Sequence, residues 1–298
     1  MKIFHKDIRG FTLVELIMVM AILGVVVGAL YSVYLTHLRN ASHQDQLLEV
    51  QQNMRIAMDS ISRDLMMAGM LVQSPNPPLK STNPTSIVIN TASADRVYAR
   101  ITHVNRTGVK AFPNLTTSVD AGSFLNFNAG DRVRIIRPSF SCGNSVTNEP
   151  LRCQFAIYST MVVATPPATG VMSLQRTDGA SFNSTLSLNQ GDMIAKKGGY
   201  SSGPGPATPD TVYYYLAAGN GCSTGQSCLF RSVNGAVPGD IIAGYMQSLN
   251  FTYNSIIVAG ASQIVSVGVK LIGTTTPAAG SGQLPVTREM DTLVKLRQ

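Results

Sequence analysis

Residues 11–35 (FTLVELIMVMAILGVVVGALYSVYL) form an apolar run of 25 with no proline and one ionisable side chain, Glu15. As a helix rising about 1.5 Å per residue, the run spans about 37 Å, enough to cross the hydrocarbon core of a bilayer. Such a run has to sit in lipid or in an equally apolar assembly, and the rest of the chain has to fold elsewhere. The basic residues Lys2, Lys6 and Arg9 flank it on the N-terminal side. The positive-inside rule therefore keeps that end in the cytoplasm and sends everything after Leu35 outward. A cleaved secretory signal fits poorly, because the run is longer than an h-region and no small-residue A-x-A site follows it.

Glu15 is the anomaly, since a carboxylate in a membrane span costs roughly 3 kcal/mol on insertion scales and usually marks a function or a partner. It lies five residues after Gly10, in the string Gly10-Phe11-Thr12-Leu13-Val14-Glu15-Leu16. That string, behind its basic leader, closely resembles the processing site of type IV pilins and pseudopilins. The resemblance implies cleavage between Gly10 and Phe11 by a prepilin peptidase. It also implies N-methylation of the new Phe11 amine and insertion of the mature chain into a filament through its N-terminal helix. Elementary electrostatics agrees: the Phe11 amine is a cation that Glu15 of a neighbouring subunit would neutralise inside an apolar helix bundle, leaving neither charge alone.

The helical pattern continues past the span. Leu47, Val50, Met54, Ala57, Ile61, Leu65 and Ala68 recur at steps of three and four on one face, with Gln51, Arg55, Asp59 and Arg63 opposite. Gly69 and the Pro75–Pro78 stretch end it. One helix over residues 11–69 is expected, its 11–35 portion in membrane or filament core, following a cleaved leader at 1–10 and preceding a globular head at 70–298. The ending Arg63-Asp64-Leu65-Met66-Met67-Ala68-Gly69 resembles that of PilW-like minor pilins. J-type minor pseudopilins of type II secretion share the Arg-Asp-Leu portion.

Beyond the helix, short alternating runs are separated by Gly, Asn, Pro and Ser clusters, and the chain holds 26 Gly and 15 Pro with only 13% charged residues. This pattern predicts antiparallel β structure, with strands at 86–90, 96–104, 132–136, 155–163, 171–174, 193–196, 211–217, 229–233, 248–253, 264–272 and 287–296. The fold class expected is therefore α+β and type IV pilin-like, a long N-terminal helix packed on a mostly antiparallel head. A weak internal echo relates LNFNAGD at 125–131 to LSLNQGD at 186–192, and Pro238-Gly239-Asp240 repeats the Gly-Asp turn. These read as turns that start strands. Calcium ligation by their aspartates is disfavoured, because several oxygens per ion are not clustered there, and no metal site is expected.

All four cysteines, Cys142, Cys153, Cys222 and Cys228, lie in the head. Three pairings are open. An outward head sits in an oxidising compartment, and proximity in sequence favours 142 with 153 and 222 with 228, two disulfides each closing a small loop. The second would clamp a hairpin tip. Neither spacing matches a short zinc knuckle.

Catalysis finds no motif: G-x-S-x-G, H-E-x-x-H and a phosphate-cradling glycine loop are all missing from the sequence. No enzyme activity and no cofactor are expected. Net charge is +7, but removing the first ten residues leaves 20 basic and 15 acidic residues, a net +5, too mild to imply nucleic acid by itself. Residues 96–137 nevertheless carry seven positives, Arg96, Arg100, Arg106, Lys110, Arg132, Arg134 and Arg137, against Asp120 and Asp131. A solvated face explains them most simply, and a DNA or anionic surface patch is the alternative. The resemblance as a whole implies a minor pilin that primes assembly near the tip of a type IV pilus and supports adhesion and twitching motility. Its expected partners are prepilin peptidase, the other minor pilins, the major pilin, the inner membrane and a large tip adhesin. The alternatives are a J-type pseudopilin and an adhesive or DNA-binding pilin of an uptake system. Expected placement is single-pass in the inner membrane, N-terminus cytoplasmic, then in an extracellular pilus.

Overall fold

The structure is a computed structural model and describes residues 12–72, 76–104, 114–119, 126–137, 156–168, 171–176, 191–197, 209–219, 221–222, 225–258, 260–276 and 284–296. The chain divides into a smaller unit, residues 1–49 with 275–286, and a larger one, residues 50–274 with 287–298.

In the smaller unit, the helix α1 (Leu13–Met66) begins. Its large apolar side chains are exposed on every side from Leu13 to Tyr34, as in a helix that is apolar all round and that nothing in its own chain covers. The helix runs without a break into the larger unit and ends at Met66, three residues short of the expected glycine stop. Its 54 residues correspond to roughly 81 Å.

In the larger unit, Val50, Met54, Ala57, Met58, Ile61, Asp64 and Leu65 of α1 are buried. They pack on an antiparallel sheet of seven strands: β1 (Leu79–Asn83), β2 (Ser86–Thr91), β9 (Asp210–Ala218), β10 (Ser227–Val233), β11 (Asp240–Val258), β12 (Ala261–Thr274) and β13 (Thr287–Lys295). Ile87, Ile89, Val212, Leu229, Leu249, Phe251, Val267, Val269 and Leu271 supply its inner face. Alternation of side chains about the pleat puts 267, 269 and 271 on that one face. The helix approaches β12 closely at Gly273, where a Cβ would lie 2.7 Å from Val50 Cγ1 and 2.9 Å from Met54 Sδ.

A second β body was not expected. Strands β3 (Tyr98–Val104), β4 (Asn114–Val119), β5 (Arg132–Arg137), β6 (Ala156–Ala168), β7 (Val171–Arg176) and β8 (Met193–Lys196) close into an antiparallel barrel in the order β3-β4-β7-β6-β5-β8. Ala99, Ile101, Phe127, Val133, Ile135, Val163, Met172, Leu174 and Ile194 form a core of its own. Alternation cannot tell an open sheet from a closed one, because both bury every second side chain. Strands β1 (LKSTN) and β4 (NLTTSV) escaped the pattern because they are mostly polar, and β11 extends well beyond the run expected at 248–253.

Candidate assembly and anchoring sites

Gly10 and Phe11 lie outside the described residues, and the site is described from Thr12 onward. Thr12 caps α1: its Oγ1 accepts a hydrogen bond from the Glu15 backbone N–H at 3.3 Å, and its carbonyl accepts one from Leu16 N at 3.1 Å. Thr12-x-x-Glu15 thus has the spacing of a helix cap with an acid in the first turn, where the positive end of the helix dipole favours a carboxylate. Glu15 is exposed, so its side chain stands on a helix surface otherwise made of Leu, Ile, Val and Met.

The second site lies at the other end of the helix. Asp64 is 4% exposed and receives Arg96 Nε at 2.6 Å on one oxygen, and Arg231 Nε at 2.9 Å with the Tyr214 hydroxyl at 2.7 Å on the other. Ser60 Oγ lies 2.8 Å from that hydroxyl. Burial works against the carboxylate, but the Arg96 hydrogen bond and the Arg231 charge outweigh it and hold Asp64 below its ordinary value. Burial, reinforced by the Asp64 charge, pushes the Tyr214 phenol up, so it stays a donor. Each arginine also reaches a backbone carbonyl: Arg96 that of Ser60 at 3.3 Å, Arg231 that of Ala94 at 2.5 Å. Helix, sheet and the segment leading into the barrel therefore meet at one carboxylate. A second buried pair, Arg134 of β5 and Asp210 of β9 at 2.8 Å, ties barrel to sheet, and the other Asp210 oxygen accepts from Ala94 N at 3.1 Å.

Residues 5–31 match the family model of the prokaryotic N-terminal methylation motif. The chain carries a type IV pilin-like N-terminus. No curated protein and no solved structure matches the chain. The pilin-like N-terminus covers Gly10, Phe11 and Glu15, and it makes the chain a substrate type for prepilin peptidase and for assembly with other pilins. It is compatible with membrane anchoring followed by incorporation into a filament.

Of the cysteines, Cys222 and Cys228 are bonded, with Cα atoms 6.0 Å apart, and the bond closes the connection between β9 and β10. Cys142 and Cys153 lie outside the described residues, so the fold has one disulfide on view where two were expected. The basic stretch needs correction. Arg134 is buried in its pair with Asp210, and Arg96, 29% exposed, is held by Asp64, so neither is available to an anionic polymer. Arg100 and Arg132 are exposed. Arg106, Lys110 and the Arg137 side chain lie outside the described residues.

Sequence reasoning missed the role of Asp64, although the residue stands inside the motif that suggested the family. The signal was there: Asp64 falls three residues after Ile61 on the buried stripe, and a carboxylate on a buried stripe requires a cation. Its partners, 32 and 167 residues downstream, follow no local rule. The Tyr213-Tyr214-Tyr215 triplet packs strand β9. It does so on both faces: Tyr214 points to Asp64, while Tyr213 stacks on Tyr215 at 4.7 Å and Tyr215 on Phe230 at 5.4 Å.

Proposed function

We propose that this chain is a minor type IV pilin of the PilW-like kind, a structural subunit that primes filament assembly and stays near the pilus tip. The observation that carries the reading is the pilin-like N-terminus at 5–31 on a helix whose apolar surface is uncovered by its own chain as far as Tyr34. Such a surface, with one carboxylate near its start, fits a bundle of like helices in which Glu15 of one subunit meets the Phe11 amine of the next. The size of the remainder favours a minor subunit. Residues 70–298 scale to a radius of gyration of about 17 Å, whereas packed helices lie only about 10 Å apart, so heads of this size crowd when stacked on every subunit. A tip subunit has no neighbour above it.

The test is quantitative proteomics of sheared filaments together with the mass of the mature N-terminus. A chain beginning at methylated Phe11, present at a small fraction of the main pilin, is the expected result. Recovery of Met1 in assembled protein, or this chain as the most abundant subunit, would refute the proposal. Enrichment with secretion pseudopilins instead would move the chain to the J-type class.

A further inference from the structure

Three features of the barrel, none used above, bear on what it is. The first is where it enters the chain. Strands β2 and β9 are antiparallel neighbours whose last registered pair is Thr91 with Asp210, the two residues that bracket the whole insertion. Without residues 92–209, sheet order and chain order coincide from β1 to β13, so the sheet is a plain meander and β2–β9 one of its hairpins. The barrel occupies the place of a turn.

The second is a repeated turn. Gly130, at φ +88°, donates its N–H to the carbonyl of Val163 at 2.9 Å, and Val163 N donates to the carbonyl of Asp131 at 3.0 Å. Gly191, at φ +97°, donates to the carbonyl of Ile101 at 2.8 Å, and Ile101 N donates to the carbonyl of Asp192 at 2.8 Å. Each Gly-Asp turn precedes a strand, β5 or β8, and each grips the first strand of the other half, β6 or β3. The left-handed φ explains the glycine.

The third is registry. Moving along the chain by 61 residues carries Gly130-Asp131 onto Gly191-Asp192. The same step of 61, with one of 62 for the first strands, carries the pairs Arg132↔Val162 and Val133↔Met161 of β5–β6 onto Met193↔Arg100 and Ile194↔Ala99 of β8–β3. The central pair Arg134↔Ala195 maps onto itself. Both first strands break register just after the gripped residue, between Ile101 and His103 and between Val163 and Thr165. In barrel order, β3-β4 and β6-β7 then exchange across a two-fold axis. The barrel is two successive copies of a three-stranded unit, β3β4β5 and β6β7β8, interlocked through their Gly-Asp turns.

We infer that the barrel is a guest module, a duplicated three-stranded unit spliced into one hairpin turn of a host formed by α1 and the seven-stranded sheet, and that the host folds and enters filaments without it. The host core is continuous across α1 and the sheet and takes one side chain, Ala94, from the connection into the barrel, and the guest core is separate from it. The step from folding to filament entry rests on the pilin reading above; the step from register to host and guest does not.

The experiment replaces residues 92–209 of the full-length chain by Asn-Gly, the pair suited to a two-residue hairpin turn, with Asp210→Asn because its buried partner Arg134 leaves with the barrel; Arg96 leaves as well, and Asp64 keeps Arg231 and the Tyr214 hydroxyl. In detergent, the host is expected to melt in one cooperative transition and to keep the Cys222–Cys228 bond in a non-reducing peptide map. Loss of cooperative melting would overturn the host claim. The guest is tested in the otherwise unaltered chain by Gly130→Val and, separately, Gly191→Val, read by hydrogen exchange. Each is expected to speed exchange at least tenfold in the barrel strands, to a similar degree, with the exchange of β9–β13 unchanged. Equal loosening of the sheet, or a response to only one glycine, would overturn guest or duplication respectively. In sheared filaments, the excised chain is expected at the level of the intact one. A folded excised chain missing from filaments that do contain the intact chain would overturn the assignment of assembly to the host. Absence of both chains would sink the pilin reading and leave the detergent and exchange results to judge the inference.

Discussion

The two ends of α1 obey the same backbone rules and meet opposite surroundings. From Leu13 to Tyr34 the helix is apolar on all sides and exposed, with Ile22 at 65% and Val25 at 74%; from Val50 to Leu65 one stripe is apolar and covered, with Ile61 at 0%. Burial of an apolar side chain stabilises by about 1.5–3 kcal/mol. In the second half that gain comes from the protein's own sheet, and in the first half it has to come from lipid or from neighbouring subunits. Charge follows the same division. Asp64 finds its arginines within the chain, whereas Glu15 stands exposed on an apolar surface and finds its proposed partner in another subunit. A continuous helix can thus carry two independent contracts, one with the fold and one with an assembly, and substitutions should sort accordingly.

The largest expected effect tests the inward contract. Asp64→Ala leaves Arg96 and Arg231 facing a partly buried site without their carboxylate and removes the acceptor of the Tyr214 hydroxyl. Loss of one member of a buried ion pair costs about 3–5 kcal/mol, and the lower end applies because Arg96 is 29% exposed and partly solvated. Denaturant unfolding of the full chain in detergent is the measurement, and a loss under about 1 kcal/mol would show that the cluster is not an anchor. The same group sets an acid limit. Because Asp64 is held below its ordinary value in the folded chain, its contribution is complete above the unfolded carboxylate pKa of about 4. It is lost as the pH falls through the lower folded value. Stability of the intact chain should therefore fall with acid in that window, and the variant should show a shallower dependence.

An intermediate effect separates the two ends. Ile61→Ala removes a fully buried side chain and is expected to cost about 2–5 kcal/mol of head stability. Ile22→Ala, the same chemistry in the first half, should leave the unfolding midpoint of the head unchanged. Glu15→Ala should do likewise and still insert in the membrane, but should enter filaments poorly, as counted by immunoblot of sheared pili. If Ile22→Ala destabilised the head as Ile61→Ala does, the division of the helix would be wrong.

How much of this could be read from the sequence depends on the range of the interaction concerned. The exposed apolar run, the buried stripe from Val50 to Leu65, the Gly-Asp strand starts and the Cys222–Cys228 bond are local patterns, set by periodicities of 3.6 and 2 and by short loops, and they were legible. The second core was not, since Ile101, Val133 and Ile194 alternate with their neighbours as any half-buried strand does, whether the sheet stays open or closes. The two-fold relation showed only as an echo of seven residues, because what the halves share is backbone registry around Val163 and Ile101 and few side chains. Arg96 and Arg134 looked like surface charge for a similar reason: the acids that bury them, Asp64 and Asp210, are 32 and 76 residues away.

The smallest expected effect makes the comparison sharpest, because it lies one turn from Asp64 on the same helix. Asp59 and Arg63 form a bidentate pair at the i, i+4 spacing, with side chains 55% and 61% exposed. In water the Coulomb gain of such a pair is nearly matched by solvation and by the entropy of holding two long side chains, and salt screens what remains. Asp59→Ala should therefore leave the unfolding midpoint within experimental error at 0.15 M salt, in the same detergent assay that registers Asp64→Ala as a major loss. The two aspartates share a helix and each has an arginine partner, so composition and helix propensity cancel between them and burial remains as the difference. Similar losses from both would mean that the helix itself, rather than its docking through Asp64, limits the stability of the head.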